Sequence, residues 1–105
     1  MKNVYIPDIV TISEIREETP DIKTFKLIFK DKEVQRNFNY KPGQFIELSV
    51  FGYGEAPFSI SSSPNQQNFF EITVKRVGDV TNALFKLNEG NAVGVRGPFG
   101  NGFPT

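Results

Sequence analysis

Apolar and polar residues alternate with a period of two through most of this chain, and each alternating run is bounded by turn-forming residues. From Ile9 to Arg16 apolar and polar residues alternate, and after the break at Thr19-Pro20-Asp21 a second alternating run sets Phe25, Leu27 and Phe29 against Lys26 and Lys30. Two half-buried strands are predicted there. Residues 31–39 are polar and charged with one Phe, which predicts a hairpin-type connection or excursion. Lys41-Pro42-Gly43 supplies a turn, Pro fixing φ and Gly accepting a positive φ, before a third strand over Gln44 to Val50 with Ile46, Leu48 and Val50 on one side. Gly52-Tyr53-Gly54 then turns the chain into a fourth strand, Glu55 to Pro64. The residues Pro64-Asn65-Gln66-Gln67-Asn68 turn it again into a fifth, Phe69 to Val77, where Phe70, Ile72 and Val74 alternate with Glu71, Thr73 and Lys75.

The period changes once. Val80, Ala83, Leu84 and Leu87 recur at helical spacing, with Asp79 a candidate cap and Gly90 just past the end, so a two-turn helix is predicted. Asn91 to Arg96 is a sixth strand, and Gly97 to Pro104 is a turn-rich exit. The expected fold class is all-β: a six-stranded antiparallel Greek-key β-barrel with one short helix between strands 5 and 6. OB-like and reductase-type barrels both fit that count.

Composition narrows the chemistry. At 105 residues the chain is one domain, and 11 Phe, 9 Gly and 7 Pro suit short strands and turns. Twelve basic and 12 acidic residues cancel, so no chain-wide field recruits nucleic acid or an anionic membrane, and any anion site must be local. With no Cys and no His, the chain offers no thiolate, imidazole or disulfide, which excludes serine-triad and cysteine-protease mechanisms. The first seven residues, Met1 to Pro7, hold no apolar core of a signal peptide, and no apolar run approaches a membrane span. A soluble, cytoplasmic chain with no membrane partner is expected.

Three stretches carry candidate chemistry. In Glu55-Ala56-Pro57-Phe58-Ser59-Ile60-Ser61-Ser62-Ser63-Pro64 an aromatic is followed by four hydroxyls on one short strand. A planar ring system with a polar edge needs such a surface, and a Ser-rich edge strand would have the same composition. In Lys75-Arg76-Val77-Gly78-Asp79-Val80-Thr81-Asn82 a strand ends in cations and a helix begins. Helix-start amides with a hydroxyl suit a phosphate, although a plain strand-to-helix turn reads the same way. Gly97-Pro98-Phe99-Gly100 either lays a ring beside a ligand or closes the barrel. A flavin would fit the Glu55–Pro64 surface; the competing function is a flavin-free OB-like barrel that binds a partner protein or single-stranded nucleic acid, and the neutral charge disfavours nucleic acid.

Taken in order, Tyr40-Lys41-Pro42-Gly43-Gln44-Phe45, Ala56-Pro57-Phe58-Ser59-Ile60-Ser61-Ser62, Gly78-Asp79-Val80-Thr81 and Gly97-Pro98-Phe99-Gly100 resemble the FAD-binding domain of the ferredoxin–NADP reductase superfamily. Within it, Phe51 to Pro64 is most like the gamma (diaphorase) subunits of sulfhydrogenases and the related subunits of anaerobic sulfite reductases, with dihydroorotate dehydrogenase electron-transfer subunits next. The resemblance implies an NAD(P)H-dependent electron-transfer oxidoreductase whose cofactor is FAD rather than FMN. Phe58 and Ser59 would lie against the isoalloxazine, with Ile60, Ser61 and Ser62 along the ribityl and phosphate side. Val74 and Lys75 would be near the cofactor, Gly78, Val80 and Thr81 would hold the pyrophosphate, and Phe99 would lie beside the ligand. The family's usual Arg two residues before the aromatic is Ala56 here, and Lys75 or Arg76 would replace that cation. The resemblance also implies that residues 1–105 are the flavin domain of a longer reductase, not expected to turn over alone. Its partners would be a downstream NAD(P)-binding domain and iron–sulfur subunits, NAD(P)H and a [2Fe-2S] cluster being bound there.

Overall fold

A computed structural model describes residues 6–100; the N-terminal residues 1–5 and the part of the turn-rich exit beyond residue 100 lie outside the described residues. The alternating segments become strands β1 (Asp8–Thr19), β2 (Ile22–Phe29), β3 (Phe45–Val50), β4 (Gly54–Ser59), β5 (Phe70–Lys75) and β6 (Ala92–Phe99). Two helices interrupt them, α1 (Lys32–Asn37) and α2 (Asp79–Phe85). All six strands join one antiparallel sheet in the order β4-β3-β6-β1-β2-β5, so β6 inserts between β3 and β1 and the connections cross as in a Greek key.

The period of two does what it should. Val10, Ile12, Phe25, Leu27, Ile46, Leu48, Ile72 and Val74 are buried inside the curled sheet while their neighbours in sequence, buried Thr24 apart, stand outside or half-exposed. Leu84 and Ala83 of α2 close the core from one side. Phe29, Phe38, Tyr40 and Phe70 form an aromatic group with ring centroids 4.8, 4.9 and 5.5 Å apart around Phe38.

Four expectations are corrected. Residues 31–39 are not a hairpin connection: Asp31 caps α1 by accepting from the amides of Glu33 (2.8 Å) and Val34 (3.3 Å). This helix buries none of its residues, so it leaves no apolar period to read, and Phe38 just beyond it returns the chain to the core. In α2 the N-cap is Gly78, and Asp79 is the first helical residue. The fourth strand ends at Ser59 rather than reaching Pro64. The sixth runs on through Gly97-Pro98 to Phe99 instead of turning at Gly97. It does so through a bulge, the β3–β6 register shifting between Phe45↔Phe99 and Glu47↔Arg96. Gly97 supplies the positive φ of 129° that the bulge requires, in a spot where an added Cβ would lie 3.3 Å from the Phe45 carbonyl oxygen. The Gly97-Pro98 peptide is cis.

Candidate functional site

The sheet has two edges, β4 and β5, and curling brings them together at one point. Ile60 bridges Ile72, and the Ser61 amide donates to the Glu71 carbonyl at 2.8 Å. From that vertex β4 runs back to Gly54 and β5 runs on to Lys75 with no ladder between them among the described residues. Extending the Ile60↔Ile72 register would set Phe58 opposite Val74, Pro57 opposite Lys75 and Gly54 opposite Gly78. The result is a wedge-shaped gap lined by two strand edges whose outward backbone N–H and C=O groups have no strand partner.

The first turn of α2 lies at the Gly54 end of this gap. An added Cβ at Gly54, whose φ is +135°, would lie 3.4 Å from Val80 Cγ2, so the start of β4 packs directly on the helix. Gly78 has open space around it, with nothing within 4 Å of an added Cβ. Phe58 lies about 13 Å from Gly54 at the ordinary strand rise. A ring beside Phe58 and an anion beside Gly78 would thus be separated by the length of a linker.

The structure brings most of the predicted residues to this gap but gives their side chains different tasks. Phe58 pairs with buried Ile46 and shares its inward face, half-buried against the core; Ile60 packs the same way. Val74 is 1% exposed, so its side chain belongs to the core, and its backbone faces Lys23 of β2, leaving the groups of Thr73 and Lys75 on the gap. Ser59 is exposed on the outer face, paired with Phe45, which in turn pairs with Phe99. The Phe45 and Phe99 rings stand 5.7 Å apart, so Phe99 and Phe58 lie on opposite faces of the sheet. Lys75 is exposed, with no ion pair among the described residues. Arg76 turns away from β4, its guanidinium 3.7 Å from Asp21 and 5.8 Å from the centre of the Phe85 ring.

Three of the candidate hydroxyls are committed to partners within the protein. Thr81 Oγ1 accepts from the amides of Val77 (2.8 Å) and Gly78 (2.9 Å) and donates to the Gly78 carbonyl (3.0 Å), and Thr81 is 6% exposed. It is the cap of α2 in the third helical position, reaching back because Gly78 has no side chain to do so. The Ser62 hydroxyl accepts from the Glu71 amide at 2.9 Å and meets the Tyr40 hydroxyl at 2.8 Å. Ser61 Oγ accepts from Thr73 Oγ1 at 3.2 Å, and Thr73 is joined to buried Thr24 at 2.9 Å.

Three residues that matter here had no site role in the sequence. Tyr40, 8% exposed, donates its hydroxyl proton to the Ser63 carbonyl at 2.7 Å, and burial raises its pKa above the ordinary tyrosine value. Its place before the Pro-Gly turn gave no hint of a partner 22 residues away. Glu55 and Arg96 form a bidentate pair across β3, Nη2 to Oε1 at 2.6 Å and Nε to Oε2 at 2.9 Å. The Arg96 guanidinium, helped by a hydrogen bond from Ser49, holds the Glu55 carboxyl below its usual range. A cavity of about 390 Å3 lies elsewhere, between α1 and Gly97-Pro98. The gap is an open sheet edge, and backbone groups rather than enclosed volume mark it.

A curled six-stranded Greek-key sheet defines the class of domain, and known proteins share that fold. Residues 9–103 match the family described as Oxidoreductase FAD-binding domain, and the chain belongs to that family. Sulfhydrogenase 2 subunit gamma of Pyrococcus furiosus is 45% identical over 93 residues, 89% of this chain and 32% of that protein. A probable dihydroorotate dehydrogenase B (NAD(+)) electron transfer subunit of Methanocella arvoryzae is 43% identical over 97 residues, 92% of this chain and 33% of that protein. The chain thus spans about a third of the length of these relatives. Among solved structures, the flavohem-like FAD/NAD binding domain of nitric oxide dioxygenase from Vibrio cholerae O1 biovar El Tor superposes with a TM-score of 0.83. It is 23% identical, over 95% of this chain and 46% of that one. Phthalate dioxygenase reductase superposes with a TM-score of 0.80 at 22% identity, over 92% and 30% of the two chains.

Proposed function

We propose that this domain seats FAD in the gap between β4 and β5 and serves as the flavin module of an NAD(P)H-dependent electron-transfer oxidoreductase. The observation that carries the proposal is the missing ladder. Two adjacent edge strands leave backbone donors and acceptors unpaired beside a half-buried Phe ring, which is what a planar heterocycle with one polar edge needs. In this arrangement the ring system lies by Phe58 and Ser59, flanked by the edge of Val74 and Lys75. Ile60, Ser61 and Ser62 shape the narrow end.

The pyrophosphate lies toward Gly78 and Val80, where the space beside Gly78 is open and the first-turn amides of α2 have no intrahelical partner. Thr81 acts there by holding the turn, its hydroxyl being committed to the backbone. Lys75, rather than Arg76, is the cation within reach, since Arg76 is directed to Asp21 and Phe85. We take the cofactor as FAD rather than FMN because residues 9–103 match the family described as Oxidoreductase FAD-binding domain. Phe99 supports the site from the outer face through Phe45.

Bound flavin would supply the redox chemistry, accepting a hydride and releasing electrons singly, while the protein positions it. The electron route from NAD(P)H to iron–sulfur partners is proposed because one relative is a probable electron transfer subunit of an NAD(+)-linked dehydrogenase. A structural neighbour is likewise described as transferring electrons from pyridine nucleotides to [2Fe-2S]. Among the described residues no helix is long and apolar enough to cross a membrane, and we place the domain in the cytoplasm. Titration of the purified chain with FAD and with FMN, followed by quenching of flavin fluorescence, tests the assignment. Saturable quenching by FAD at lower concentration than FMN is expected, and no quenching by either would refute it.

A further inference from the structure

We infer that Tyr40 is a positioning residue for the flavin gap, acting through Ser62 at the vertex where β4 and β5 part. The inference rests on the assignment of the gap to FAD. Tyr40 precedes β3 and touches neither edge strand by its backbone, yet its hydroxyl sits at the one place where the two edges meet. It donates to the Ser63 carbonyl at 2.7 Å, so the 2.8 Å contact to Ser62 Oγ has the serine as donor. Ser62 Oγ in turn accepts the Glu71 amide at 2.9 Å. Beside these, the Ser61 amide is bonded to the Glu71 carbonyl and Ile60 bridges Ile72. The segment that leaves Phe58 and Ser59 is therefore clamped to β5 on one side and to a buried phenol on the other.

The consequence is geometric. Beyond this clasp the ladder is absent, so the angle at which β4 departs from β5 is set where the last cross-links lie. The ring of Tyr40 is fixed by Phe38, at 5.5 Å, which itself packs on Phe70 of β5 at 4.9 Å. The hydroxyl is thus held at a defined distance from β5, and through Ser62 it defines where Phe58 and Ser59 begin. Removing the hydroxyl leaves the core filled but frees the segment 61–63 to shift, opening or closing the gap upon the ligand.

The test compares the chain with its Tyr40→Phe, Ser62→Ala and doubly substituted variants. Each is measured for FAD affinity by fluorescence titration and for folded content by near-ultraviolet circular dichroism and urea denaturation. A loss of stability alone leaves affinity unmoved while the protein stays folded, because the apparent constant scales with the folded fraction. The clasp predicts about tenfold weaker FAD binding for folded Tyr40→Phe, a similar loss for Ser62→Ala, and no further loss in the double variant, since both break one unit. Should Tyr40→Phe fail to fold, Ser62→Ala reports on the same clasp. FAD affinities of the folded variants within about twofold of the parent's, or losses that add fully, overturn the inference while leaving the flavin site standing. A parent chain that binds no FAD overturns both.

Discussion

Replacing Thr81 by Val tests whether this hydroxyl is a helix cap or a phosphate ligand held open to solvent. The substitution keeps the branched shape in a site that is 6% exposed and removes only the oxygen. That oxygen makes three hydrogen bonds, accepting from the amides of Val77 and Gly78 and donating to the Gly78 carbonyl, at 2.8, 2.9 and 3.0 Å. A net hydrogen bond contributes about 1 kcal/mol, and the loss of a capping side chain about 0.5–2 kcal/mol. Val77 and Gly78 are exposed, so their amides regain water and the full sum is not lost. We expect a loss of about 2 kcal/mol for the flavin-free chain, equivalent to a fall in Tm of about 8–16 °C for a domain of this size. Thr81→Ser keeps the oxygen and gives up one methyl group, about 0.8 kcal/mol. Urea denaturation without flavin gives both values. A Thr81→Val chain within about 0.5 kcal/mol of the parent would refute the cap, that being the range of substitutions that touch nothing important.

Other outcomes follow from the same structure. The lowered pKa of Glu55 means that the folded state binds its proton less readily than the unfolded state, so its pairing with Arg96 stabilises the fold above the ordinary glutamate value near 4.5. That contribution is lost as pH falls through the lower folded value, and urea midpoints measured across this range should fall less steeply in Glu55→Gln. Gly54→Ala places a side chain at φ +135° beside Val80 and should cost at least about 1 kcal/mol in urea denaturation. Lys75→Ala should weaken FAD several-fold while Arg76→Ala leaves it unchanged, read by fluorescence titration; the reverse order would show that Arg76 swings back across the gap.

The strands were legible because burial follows a strict period of two, with Ile46, Leu48 and Val50 or Phe70, Ile72 and Val74 facing in and their neighbours out. Helix α1 was not, since it is held by the Asp31 cap and by Gln35, which accepts from the Phe29 amide and donates to the Gln67 carbonyl, rather than by an apolar stripe. Gly97 read as a turn because its positive φ serves a bulge inside a strand just as well as a chain reversal. For the candidate site, the motifs marked segments that meet at the gap but not the tasks of their side chains. A serine in sequence looks the same whether its oxygen meets a ligand or, like Ser62, ties Tyr40 to Glu71. The gap itself arises from where two edge strands stop pairing. That depends on long-range register, to which no single stretch of residues testifies.

The most direct test of the gap as the flavin seat is a backbone amide spectrum of the labelled chain recorded as FAD is added. The account predicts that the largest shifts fall on Phe58, Ser59, Val74, Lys75 and Gly78, along both edges of the opening and at the start of α2. Shifts confined to α1 and Gly97, around the 390 Å3 cavity, with the β4 and β5 edges unmoved, would contradict it.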